Sequence, residues 1–136
     1  MEIHITVDGE AVPQGRPRFV RATGRAYDPP KARQYKAKVR REAALNAPSV
    51  PLEGAVELSL MIYRKTPKSA SKRRTGAMLA GDVRPTTKPD VSNVLIGVED
   101  ALNGIGYKDD SQIVQYGTVG KWYADRDYIV IEVREI

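Results

Sequence analysis

The chain has 136 residues, 41% of them hydrophobic, with one histidine and no cysteine. That length fits one domain, residues 1–136, with a modest core. The lack of cysteine excludes a disulfide framework, a thiolate nucleophile and a cysteine-based zinc site. No run approaches the roughly 20 apolar residues of a membrane span, and no charged-then-apolar leader opens the chain. The expectation is a cytoplasmic protein with no membrane partner.

The net charge of +5 is unevenly divided. Residues 1–89 hold 18 Lys and Arg against 8 Asp and Glu, whereas residues 90–136 hold 4 against 9. A positive surface concentrates polyanions and gains affinity for phosphate by counterion release. Acids beside bound phosphate would repel it unless a divalent cation stands between them.

In chain order, Ile3, Ile5 and Val7 alternate with polar residues and predict a strand over residues 2–8. The Gly- and Pro-rich stretch that follows reads as a loop with a short strand or hairpin near RFVRATGRAY. A helix is expected from about Lys31 to Asn46, after Asp28-Pro29-Pro30 and before Pro48. Ala32, Tyr35, Val39 and Ala43 share one of its faces, while Lys36, Arg40 and Arg41 lie away from it. Between Arg16 and Arg41 there are ten basic residues and one acid.

Residues 55–63 alternate strongly and form the clearest predicted strand. From 64 to 87 the pattern dissolves into Lys, Arg, Ser, Gly and Pro, which predicts a long, flexible basic loop. A second helix is expected from about Pro89, with Val91, Val94, Leu95, Val98, Ala101 and Leu102 as its apolar stripe and Asn103-Gly104 as its stop. Strands at about 112–123 and 128–135 follow, joined by Ala124–Asp127, which reads as a hairpin turn. The expected fold class is α+β (mixed α/β): a roughly four-stranded mixed sheet with two main helices.

Elimination narrows the chemistry. His4 lies in the alternating first strand, so no Ser-His-Asp or Cys-His set can be assembled. No P-loop is present, and no G-x-G-x-x-G follows a strand into a helix. Carboxylates and lysines remain, and an all-oxygen site suits Mg²⁺ or Mn²⁺. Asp90 falls at the first turn of its helix and Asp110 beyond that helix, at the approach to a strand. Spacing alone favours Asp90 as a helix N-cap and Asp109-Asp110 as a turn over a shared metal site.

The stretch KPDVSNVLIGVEDALNGIGYKDDSQIV resembles the signature of the RusA-type Holliday-junction resolvases, phage-associated endodeoxyribonucleases. That signature has an Asp-x-Asp-Asn start, then Asp-Ala-Leu-Asn-Gly and Asp-Asp-Ser-Gln. VPQGRPRFVRATGRAYDPPKARQYK and YRKTPKSASKRR are similar to the family's basic N-terminal segment and lysine-rich middle loop. The resemblance implies a homodimer that binds four-way DNA junctions and nicks two strands, using Mg²⁺ or Mn²⁺. It places metal ligands at Asp90 and Asp110, with Asp109 assisting catalysis. The family's second aspartate is matched by Ser92 and its lysine by Ile96, which leaves open a junction-binding homologue with impaired or no catalysis. Arg16, Arg18, Lys36, Arg40, Lys72, Arg73, Arg74 and Lys88 are the expected DNA contacts.

Overall fold

The computed structural model describes residues 1–14 and 30–136, and the backbone of two short strands at 18–20 and 25–27. The expected contacts Arg16 and the side chain of Arg18 lie outside the described residues.

Strand β1 (Glu2–Asp8) buries Ile3, Ile5 and Val7 while its alternate residues are exposed. β2 (Arg18–Val20) and β3 (Arg25–Tyr27) pair antiparallel in the segment where a hairpin was expected. Helix α1 (Pro30–Asn46) starts on a proline, whose missing N–H costs nothing in a first turn. It buries the four predicted residues Ala32, Tyr35, Val39 and Ala43. β4 (Val56–Lys65) buries Val56, Leu58, Leu60 and Ile62. After α2 (Lys72–Leu79) and α3 (Val91–Ala101), a single 3-10 turn at Asp110–Gln112 leads into β5 (Ile113–Ala124), and β6 (Tyr128–Glu135) closes the sheet.

The sheet order is β1-β6-β4-β5. β1 and β4 flank β6 antiparallel, and β5 runs parallel to β4, so the sheet is mixed as expected. The apolar residues of β1, β4 and β6 face α1 and α3 in one core that includes Val94, Val98, Leu102 and Tyr107. Burying each such aliphatic side chain contributes roughly 1.5–3 kcal/mol, which fixes the two helices on one face of the sheet.

Two expectations need correction. Residues 124–127 do not join hairpin neighbours, because β4 lies between β5 and β6. Their connection rounds the end of β4, where the Asp127 carboxylate accepts the Lys65 N–H at 2.8 Å. The 64–87 segment is also not a continuous loop. β4 runs on to Lys65, and α2 forms with Ser71 as N-cap, its hydroxyl accepting the Arg74 N–H at 3.2 Å. Met78 is its one buried residue, so the helix carries almost no periodic signal.

Candidate functional site

The aspartates singled out in the sequence sit at the two ends of α3. Asp90 is its N-cap: Oδ1 accepts the Ser92 N–H at 3.2 Å and the Ser92 hydroxyl at 2.9 Å. A carboxylate there satisfies a free helix N–H and is stabilised by the positive end of the helix dipole. Ser92 therefore supplies a hydroxyl that is already donated to its neighbour.

Asp110 lies past the other end. Its Oδ2 accepts the Asn103 amide N–H at 3.4 Å, and the same amide reaches Asp100 Oδ1 at 3.4 Å. The amide group thus stands between the two carboxylates, while its own Oδ1 is buried without a hydrogen-bond partner among the described residues. The 11 residues of α3 rise roughly 16 Å. Asp90 and Asp110 accordingly do not converge within one copy, contrary to the arrangement their motif implies. Among the described residues no group of three or more His, Cys, Asp or Glu is placed to hold a metal. The donors suit a hard cation chemically, but one copy does not assemble them.

Asp109 is an N-cap as well. Its carboxylate accepts the Ser111 N–H at 3.0 Å, and its own N–H donates to Gln112 Oε1 at 2.9 Å, a reciprocal capping box. The Ser111 hydrogen bonds hold this carboxyl below its ordinary pKa. Gln112 then donates to the carbonyls of Leu52 at 2.8 Å and Gly54 at 2.9 Å. The Asp-Asp-Ser-Gln run therefore builds and anchors the turn that presents Asp110. Sequence reasoning missed Gln112 and Asn103, although a Gln three residues after an Asp is the signal for a capping box.

Of the expected DNA contacts, Lys36 and Arg40 are occupied elsewhere. Lys36 Nζ pairs with Asp100, and Arg40 donates to the carbonyls of Ala101 at 2.9 Å and Asn103 at 3.2 Å. Glu99, Asp100 and Asp110 crowd the negative end of the α3 dipole, and these two cations from α1 offset that charge. They secure α1 to α3, a role that the sequence reading of them as phosphate contacts did not include. Tyr107, buried beneath the acids, donates to the Glu99 carbonyl at 2.7 Å, and burial pushes its hydroxyl far above its ordinary pKa. Tyr116 donates to Glu99 Oε1, and that bond raises its pKa to about 12.

Lys72, Arg73 and Arg74 lie exposed in the first turn of α2. Lys88 lies beside Asp90 in a groove of about 440 Å³ lined by Lys31, Arg64, Lys88, Asp90 and Asn93. Arg64 is fixed there by donating to the Lys88 carbonyl at 2.8 Å and by lying 3.5 Å from Glu10 and 3.7 Å from Asp127. Lys31 and Arg64 are further cations beside Asp90 that the sequence reading did not single out.

The chain matches the family described as Endodeoxyribonuclease RusA over residues 8–134. It is also 41% identical over 138 residues to a protein of Bacillus subtilis (strain 168) described as "Uncharacterized protein YqaN", a match covering 98% of this chain and 96% of that one. With its motifs placed at the ends of α3 and this match over nearly its whole length, the chain belongs to the RusA family of endodeoxyribonucleases.

Proposed function

We propose that this chain cuts four-way DNA junctions as a homodimer that depends on Mg²⁺ or Mn²⁺, in the cytoplasm during recombination and repair. The observation that carries the reading is the open groove at Asp90, where Lys31, Arg64 and Lys88 surround a helix-capping carboxylate. Three cations at a helix N-terminus favour a phosphodiester, and the acid among them suits a cation-assisted hydrolysis. Lys72, Arg73 and Arg74 extend the basic surface and grip the backbone without reading bases.

Asp90 and Asp110 belong to one catalytic centre only if two copies meet, with Asp90 of one facing Asp110 of the other. A divalent cation held between them would neutralise charge on the phosphate and activate water. Within the chain itself, α3 fixes the two acids a helix length apart, Arg64 stiffens the groove wall, and Asp109 with Gln112 holds the turn that carries Asp110.

Incubating a labelled four-way junction with Mg²⁺ or Mn²⁺ tests this. Paired nicks that vanish in Asp90→Asn and in Asp110→Asn are the expected result. Absence of nicks in both metals, with a retained gel shift, favours a second reading: a junction binder with impaired catalysis. That reading rests on Ser92, whose hydroxyl is committed to Asp90, and on Ile96, which is 54% exposed and offers nothing to a phosphate.

A further inference from the structure

β5 is an edge strand, paired with β4 on one side only. Its residues 114–118 are all exposed, and Ile113–Gly120 contains no charge and no proline. Natural edges are blunted by charge, proline or bulges. This one uses only bulges: Val114 has no register partner, and Gly117 and Thr118 together oppose Ser59. A regular ladder cannot continue across it, yet the apolar side chains stay open to solvent. Val114 is 61% exposed and Tyr116 50% exposed. Tyr116 reaches across to Glu99 of α3, and one turn back along that helix Ile96 is 54% exposed. An uncharged strand edge and an apolar helix position thus lie on one flank.

The charges flanking this patch differ in sign. At the C-terminal end of α3, Glu99 is bonded to Tyr116 and Asp110 to Asn103, with no cation on either among the described residues. At the N-terminal end, the three cations Lys31, Arg64 and Lys88 outnumber the two acids Glu10 and Asp90 that line the same groove. A twofold axis across α3 lays the helix antiparallel to its copy, so a flank with unlike ends complements itself.

We propose that a second copy of this chain packs on the α3–β5 flank, centred on Ile96 and Tyr116, by side-chain contact rather than strand addition. The proposal rests on the homodimer above and names its surface. Ile96, at the position of the family's lysine, then serves as an apolar anchor of the interface.

Light scattering and sedimentation of the intact chain test this. The expected result is a dimer whose dissociation constant rises at least about 100-fold in Ile96→Glu and in Tyr116→Glu, as for anchors near an interface centre. Leu45→Glu, at a position 76% exposed on α1, should leave it unchanged. Circular dichroism should show all three folded, since each site is already at the surface. The chain has no cysteine, so Ile96→Cys should oxidise to a covalent dimer and Leu45→Cys should not. A monomeric wild type overturns the proposal, as does a dimer unmoved by both glutamates. A dimer that nicks junctions yet is unmoved by both glutamates defeats the surface and spares the nuclease; a dimer on this flank that never nicks does the reverse.

Discussion

Replacing Arg40 by glutamine separates a structural role from a DNA-binding one. The guanidinium donates one part-buried bond to the Ala101 carbonyl at 2.9 Å and one exposed bond to Asn103 at 3.2 Å. A charged hydrogen bond contributes about 1.5 kcal/mol at the low end, and exposure reduces the second to a few tenths. The cation also offsets the α3 dipole by roughly 0.5 kcal/mol. Glutamine retains some bonding capacity, so the expected loss is about 1.5 kcal/mol. For a chain of 136 residues that corresponds to a drop in Tm of about 5 °C. Calorimetry gives the stability, and junction titrations at several salt concentrations give the number of phosphate contacts. The expected outcome is a lower Tm with an unchanged salt slope. An unchanged Tm combined with a slope shallower by about one unit would refute the reasoning and return Arg40 to the DNA surface.

Other outcomes follow from the same geometry. Replacing Lys72, Arg73 and Arg74 together by alanine should leave Tm within about 2 °C, and it should reduce the salt slope of junction binding by up to about 2.7; an unchanged slope removes the tip of α2 from the interface. Asp109 has a depressed pKa, so its stabilising effect is present above the unfolded value of about 3.9 and is lost as pH falls through the lower folded value. Acid unfolding of Asp109→Asn should therefore be flatter than that of the wild type below about pH 4, as followed by circular dichroism. Tyr116 has the opposite sign: its contribution is full below its ordinary pKa of about 10 and fades as pH rises toward its folded value of about 12. Tyr116→Phe should accordingly flatten the alkaline limb and remove the one tyrosine that titrates at about 12 from an ultraviolet titration, leaving the later, buried Tyr35 and Tyr107 in place. Gln112→Ala breaks three hydrogen bonds at the turn carrying Asp110, and urea unfolding should show a loss of about 2 kcal/mol.

The strands and main helices were legible because their side chains carry a clean period. Ile3-Ile5-Val7 and Ile129-Ile131-Val133 alternate, and Ala32-Tyr35-Val39-Ala43 fall on one helical stripe. The partner of β5 was not legible. Ala124–Asp127 has turn composition, but composition describes the bend and not which strands lie beside it. α2 escaped because one buried methionine makes no pattern, although Ser71 before a run without proline marks its start. At the site, the residue types at positions 90, 109 and 110 pointed to a cap and a turn; Asp90 and Asp109 form caps, and Asp110 opens the 3-10 turn. Their convergence was not legible, because a chain that turns back after a helix still leaves the helix ends a helix length apart. The commitment of Lys36 and Arg40 to α3 was hidden for a related reason. A cation opposite the apolar face of one helix is exposed only until a second helix is laid beside it.

β1 and β6 pair along their whole length, from Glu2 opposite Arg134 to Asp8 opposite Tyr128. The opening strand therefore waits for the closing one before its amides find partners. β4 likewise waits, since both of its neighbours are made from residues 113–135. Pairings that span most of the chain are slow to form, because the loop must close before any contact rewards it. During synthesis the first hundred residues should remain uncommitted and open to protease, and folding should start only after the last strand has cleared the ribosome.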